Sequence, residues 1–455
     1  MDKPAKFRIS DSSLFSDLPS VDLLSNLEPL SKTRKAPFQA QIPGSKSYTN
    51  RALVLAAERM GITSVTGGLH CDDTFRLSEA LDSFEGLTVE KTDDGFRVER
   101  TREHLGSPAG ACFMGGAGTP ARFMLGFSAA ADGATVVTGI PRLCERPMKD
   151  VLDAMARAGV LCESVKETDH LPIRVHGGAI VTRDWSIRAE VSSQFTSSLC
   201  LLAAQQDPAG GPIQIRLEGN QVSRPYVEMT LSMMRNCGIQ AERRGADLIV
   251  VTPSRPRNAT IPVEVDASGM SYYLAAAAVT GTTVVIPGIG KGSAQGDVGL
   301  VRAFGDMGCT VELGDDSIQL TGGELRGIDV DMEEMPDVVL TLAAVAATAV
   351  GSTRITNIAN LRVKECDRIA AAANELGRLG VKVEEGPDYL VIHPGGSLGP
   401  GRIETYDDHR VAMSMAVLSL VYPGIEIEDP GCVAKSFPEF WNELERFRAH
   451  HEGLP

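Results

Sequence analysis

Two textures alternate along this chain. Runs rich in alanine and leucine at helical spacing, such as Ala52-Leu-Val-Leu-Ala-Ala57, lead to a glycine, and a short β-branched stretch follows. That order predicts a helix and then a strand. The junctions stand at Gly61 (GITSVTG), Gly133 (GATVVTG), Gly210 and Gly211 (GGPIQIRLEG), Gly281 (GTTVVIPG), Gly351 (GSTRITN) and Gly424 (GIEIEDP). They recur about every 70–78 residues, the mark of an internal repeat.

A second glycine set, Gly86, Gly159, Gly238, Gly308 and Gly380, closes a second helix in each unit and introduces a strand, a turn and a strand. Leu87 to Thr92, the turn at Asp93-Asp-Gly95 and Phe96 to Glu99 are one such hairpin. Each unit therefore predicts helix, strand, helix and β-hairpin. The sixth stops after its second helix, Phe437 to Ala449. The extended run Phe38 to Ile42 is expected to supply a strand to that last unit, which brings both ends of the fold into one domain. Solenoid repeats are shorter than this period, so the pattern predicts two globular domains of three units each. The expected division is an extension over 1–36, one domain over 44–265, and a second over 37–43 with 266–455, the chain crossing near Pro43 and near Asp266.

Composition narrows the function. The 455 residues are 43% hydrophobic and 23% charged, enough for two or three buried cores. A net charge of -15 and a pI of 5.1 exclude broad binding to nucleic acid or to an anionic membrane. The longest mostly apolar run, Val338 to Val350, is interrupted by Thr341 and Thr348 and is shorter than the ~18–20 residues of a membrane span. It reads as a buried helix. Asp2, Asp11, Asp17, Asp22 and Glu28 exclude a transit peptide or a secretory signal in the leader. Nine cysteines without a C-x-x-C pair point to reduced thiols in a cytoplasmic protein, with no metal or disulfide expected.

Two positions in each unit collect residues that a core does not need. One is the start of the first helix: GSKSYTNR at 44–51, GGAGTPAR at 115–122, VSSQF at 191–195, DASGMS at 266–271, MPDVVLT at 335–341 and YDDHRVAM at 406–413. The other is the loop after the first strand, as in His70-Cys-Asp-Asp73, Pro141 to Pro147, Val222 to Tyr226, Lys291 to Asp297, Asn360 to Arg368 and Val433 to Lys435. If rotation relates the units, these ends converge and two domains form a cleft. It would gather Lys46, Arg51, Arg122, Arg146, Lys364, Arg368, Arg410 and Lys435 in an otherwise acidic protein. Helix starts and Arg or Lys donors suit a ligand with phosphate and carboxylate groups. Asp337, Glu365 and His409 are the titratable groups among them.

In order along the chain, GSKSYTNRAL, GxAGTxxR, ERP, VSSQF, VSRPY, DASGMSYYLAAAA, PD, NxRVKExDR, DDHRxAM and AKSFPEF resemble the enolpyruvyl transferases, and among them the branch acting on shikimate 3-phosphate. The likeness runs from about residue 38 to the end of the last helix. It implies an α/β fold of two inverse barrel-like domains, each of three βαβαββ repeats, joined by a double crossover with the site between them. The implied reaction moves the carboxyvinyl group of phosphoenolpyruvate to the 5-hydroxyl of shikimate 3-phosphate and releases phosphate, in a monomer that needs no cofactor.

The resemblance also implies roles. Lys46, Gly118, Arg146, Gln194, Arg368, Arg410 and Lys435 match the phosphoenolpyruvate site. Ser47, Arg51, Ser192, Ser193, Gln194, Ser223, Tyr226, Asp337, Asn360 and Lys364 match positions that hold shikimate 3-phosphate. Asp337 would orient or deprotonate the attacking hydroxyl, while Lys46, Glu365 and His409 would manage the proton at the methylene carbon. Gly116 departs from the asparagine that many members carry at its position. Two alternatives are an enolpyruvyl transferase with a UDP-amino-sugar acceptor and a non-catalytic anion-binding protein. The first is disfavoured by Ser192-Ser193-Gln194, Ser223 to Tyr226 and Lys364-Glu365, the second by the intact Asp337, Glu365 and His409.

Overall fold

Six helices apolar on nearly every face carry the architecture: α1 (Lys46–Glu58), α2 (Gly118–Ala129), α3 (Ser193–Ala204), α4 (Ala267–Thr280), α5 (Val339–Ala346) and α6 (His409–Leu418). All residues of α5 and α6 are buried, as expected of helices with no solvent face. Of the apolar run from Val338 to Val350, Val339–Ala346 is a buried helix entered through a 3-10 turn at Pro336–Val338, while Val350 at its end is 81% exposed. The computed structural model describes residues 7–8 and 36–454, apart from 167, 179, 181 and 397.

Two buried cores form. One packs α1, α2 and α3 and draws on residues between Ala52 and Ile261; the other packs α4, α5 and α6 with Phe38, Ala40 and residues to Phe447. Among the described residues, five four-stranded sheets and one three-stranded sheet stand around them. Cys112–Phe113 runs parallel to Gly133–Thr138, which pairs antiparallel with Ile173–Gly177, whose other neighbour is Leu161–Ser164. The same order recurs in the other four-stranded sheets, so the βαβαββ unit is realised. In the sixth sheet Gly401–Ile403 and Ile425–Ile427 run parallel, and Phe7–Arg8 pairs antiparallel with the latter, in the place a hairpin strand takes elsewhere.

One expectation is corrected here. The strand Phe38–Gln39 does not join the last unit; it pairs in parallel with Val284 and Val285, in the fourth. The counterpart Thr260–Pro262 pairs with Ser64 to Thr66 in the first unit. Each leading strand therefore serves the half of the molecule that its own following helix does not join. The exchange occurs where two segments pass side by side: Ser45 N donates to Glu264 O at 2.7 Å and Asp266 N to Pro43 O at 3.0 Å. A Cβ on Gly44 would lie 1.9 Å from Gly67 O, so only glycine admits this crossing.

Candidate active site

Residues at or just before the starts of α1, α2, α3, α5 and α6 line the gap between the cores. Ser192, Asp266 and Asp408 cap α3, α4 and α6 by accepting from Gln194 N, Gly269 N and Arg410 N. Ser45 before α1 and Ala117 before α2 make no side-chain cap, which leaves first-turn amides there for an anion. In the gap lies a cavity of about 50 Å³. Lys46, Ser47, Gly118, Arg122, Arg146, Ser192, Ser193, Gln194, Ser223 and Tyr226 wall one side. Asp337, Asn360, Lys364, Glu365, Arg368, His409 and Arg410 wall the other. Six Lys and Arg residues against Asp73, Asp337 and Glu365 leave the lining positively charged within an acidic protein.

Asp337 is the hub. Arg410 reaches it at 3.0 Å, Arg368 at 3.1 Å and Lys364 at 3.5 Å, and the Tyr226 hydroxyl donates to it at 3.1 Å across the gap. Burial raises its pKa, but Arg410, Lys364 and Arg368 outweigh burial and hold it well below the usual carboxylate range. Glu365 lies 3.0 Å from Arg368, 3.6 Å from Arg146 and 4.0 Å from Lys435. Burial again opposes these cations, and again they win, so Glu365 is held as a carboxylate.

Lys46 Nζ stands 3.1 Å from Asp73. Burial pulls this ammonium down, yet the nearby Asp73 and Glu365 leave it above its ordinary value, and it stays charged. His409 is fully buried, with neither ring nitrogen hydrogen-bonded; burial, then Lys46 and Arg410, keep it neutral.

Contacts across the gap lock these groups in place. Lys435 Nζ donates to Gly116 O at 2.8 Å, and Arg142 clamps the carbonyls of Glu365 and Lys364 at 2.9 and 3.2 Å. Asn360 donates to Ser223 Oγ at 3.2 Å, and Ser223 itself has a left-handed backbone, φ 52°. Gly116 has a physical consequence: a Cβ there would meet Lys435 Nζ at 3.0 Å, so the glycine lets the lysine reach the backbone. A Cβ on Gly118 would lie 2.6 Å from Arg146 Nη1, so this glycine gives the guanidinium its place.

Two expected ligand residues are not in the lining of this cavity. Arg51 is 1% exposed and spends its donors behind the wall on Thr230 Oγ1, Ser47 O, Ser197 Oγ and Tyr226 O. It braces Ser47 and Tyr226 instead of facing the cavity, because the helix Arg224–Asn236 packs over it. Lys435 stands 3.9 Å from Asp73 and 4.0 Å from Glu365, both of which line the cavity. Asp73 itself lines the cavity; it lies in one of the polar loops after a first strand, where a lone carboxylate has no sequence feature to mark it. Thr119, Val191 and Val363 also line it, with nothing in their chemistry to mark them.

Paired three-unit halves with a cationic, carboxylate-bearing cleft between them define the enolpyruvyl transferase class. Residues 35–444 match the family model described as EPSP synthase (3-phosphoshikimate 1-carboxyvinyltransferase), and the chain belongs to that family. It is 39% identical over 418 residues to a 3-phosphoshikimate 1-carboxyvinyltransferase of Paraburkholderia phytofirmans, covering 90% of this chain and 95% of that one. A Vibrio atlanticus relative of the same name is 37% identical, covering 91% and 98%. Among solved structures, EPSP synthase from Acinetobacter baumannii superposes with a TM-score of 0.75 at 27% identity, covering 91% and 96%. The enolpyruvyl transferase NikO of Streptomyces tendae shares the fold, with a TM-score of 0.69 at 17% identity over 91% and 95%.

Proposed function

We propose that this chain transfers the carboxyvinyl group of phosphoenolpyruvate to the 5-hydroxyl of shikimate 3-phosphate, releasing phosphate through a tetrahedral adduct. The observation that carries this reading is the single cavity in which Lys46, Asp337 and Glu365 meet cations from both halves. In the proposed division, 44–265 binds shikimate 3-phosphate, 37–43 with 266–455 binds phosphoenolpyruvate, and 1–36 is an extension. Lys46, Arg146, Arg368, Arg410 and Lys435 would take the phosphate and carboxylate of phosphoenolpyruvate, with Gly118 and Gln194 beside it. Ser47, Ser192, Ser193, Gln194, Ser223, Tyr226, Asn360 and Lys364 would hold shikimate 3-phosphate, with Arg51 as their brace. A void of about 50 Å³ is smaller than the two molecules together, so this reading has the halves part to admit them.

The proposed chemistry divides between two carboxylates. A proton added to the methylene carbon leaves an electron-poor centre, which the 5-hydroxyl attacks as Asp337 accepts its proton. Removal of a methyl proton then expels phosphate and restores the double bond. Lys46, still protonated, is the donor for the first step, and Glu365, held as a carboxylate, takes the proton back in the second. Neutral His409 lines the same wall and can pass a proton between them. Pressing two anions together in a dry cleft contributes up to ~7–11 kcal/mol through orientation.

The proposed setting is the cytoplasm, where the nine free cysteines stay reduced. A monomer suffices, since one chain supplies both walls. The test is phosphate release with both substrates and with each omitted in turn. Release with phosphoenolpyruvate alone would make the protein a phosphatase; no release under any condition would favour the anion-binding alternative.

A further inference from the structure

A second carboxylate stands behind Asp337. Asp297, 3% exposed, lies in the short 3-10 turn Gly296–Gly299 that follows the strand Thr283–Pro287. Its oxygens are 3.4 and 3.5 Å from the same Tyr226 hydroxyl that donates to Asp337. Ser268 Oγ donates a short hydrogen bond to Asp297. Arg410 closes the ring, reaching Ser268 Oγ at 3.2 Å and Asp337 at 3.0 Å.

The two acids differ in what surrounds them. Asp337 touches three cations and is a poor resting place for a proton. Asp297 faces Tyr226 from the helix Arg224–Asn236, Asp266 and Ser268 from the start of α4, Asp337 from the turn before α5, and Arg410 from α6. Arg410 is the sole cation in that set, shared with Asp337. Burial first, and then Asp337, push Asp297 up to about 7, so it can hold a proton that Asp337 gives up.

We propose that Asp297 is a positioning residue that acts through Asp337, storing the proton that leaves the acceptor hydroxyl. The hydroxyl gives its proton to Asp337 as its oxygen bonds to carbon. Asp337 passes that proton to Tyr226 Oη while Tyr226 gives its own to Asp297. Asp337 and Tyr226 end as they began, and Asp297 ends neutral. The same path in reverse returns the proton to the cleft as phosphate departs. No other co-reactant is needed. The inference deepens the transferase reading and rests on it.

Because Asp297 must be ionised to accept, native kcat falls as pH drops through about 7. Asp297→Asn should lower kcat roughly tenfold, less than the ~10²–10⁴ of a direct acid or base because Asp297 acts only through Asp337, and flatten the profile between about pH 7.5 and 5.5, where Asp337 alone is already ionised. KM for both substrates should stay within about twofold, a split that a merely structural defect would not produce. Tyr226→Phe keeps both carboxyls and cuts the bridge, so it should flatten the same limb, and it decides the matter if Asp297→Asn does not fold. An acid limb unchanged in either folded variant overturns the relay. That outcome, with release still requiring both substrates, leaves the transferase reading standing; release that ignores one substrate removes both.

Discussion

Replacing Asp337 by asparagine tests the centre of the mechanism, because its effect on turnover should far exceed its effect on folding. Asparagine keeps the shape and loses the charge and the basicity. Arg368 retains Asp408 at 2.8 Å and Glu365 at 3.0 Å, and Arg410 retains the Ser268 hydroxyl at 3.2 Å. Lys364 and Arg410 each lose their only carboxylate within 4.0 Å among the described residues; the Lys364 side chain is 19% exposed, open enough to gain water, and the asparagine oxygen can still accept from buried Arg410. The fold should therefore survive with a modest drop in Tm. Turnover loses its base, and general-base effects of ~10²–10⁴ correspond to about 2.7–5.4 kcal/mol in the barrier. A phosphate-release assay at saturating concentrations of both substrates measures the loss, with a melting curve alongside. Turnover within about threefold of native in a folded Asp337→Asn protein would remove this residue from proton transfer.

Glu365→Gln should cost turnover a similar ~10²–10⁴, with the larger defect in the second half of the reaction; rapid-quench detection of an accumulating tetrahedral adduct checks it, and native-like partitioning would count against the role. Lys46→Met should raise KM for phosphoenolpyruvate more than it lowers Tm. The substitution leaves Asp73 with Lys435 at 3.9 Å as its nearest cation, so adding Asp73→Asn should restore the Tm and leave the binding defect. A double variant with normal KM would make Lys46 structural. Asp337 and Glu365 both titrate below their unfolded values, so their stabilisation is present above pH about 4.5 and disappears as pH falls through the folded values. Native protein should then lose more Tm than Asp337→Asn between pH about 4.5 and 2.5, and parallel curves for the two would contradict that account.

Much of this protein was determined by local pattern. Apolar helices ending at glycines, β-branched strands and hairpin turns repeat, and each signal is short-range, so the six units and the polar helix starts at Lys46, Gly118, Ser193 and His409 were legible before any coordinates. The buried helix at Val339–Ala346 was legible for the same reason: length and two threonines decide it. Tertiary structure decided what depends on distant partners. Phe38–Gln39 and Thr260–Pro262 are too short to carry a periodicity, and parallel pairing between strands about two hundred residues or more apart leaves no local trace, so the exchange between halves came only from the fold. The direction of a long side chain is likewise a matter of packing: Arg51 turns behind the wall because Thr230 and Tyr226 meet it there. Asp73 and Asp297 were two acids among many in the chain until burial beside Lys46 and Asp337 gave them consequence. Charge in the cleft follows the same division, since residue type supplies the ionisable group while enclosure and neighbours set whether it is ionised.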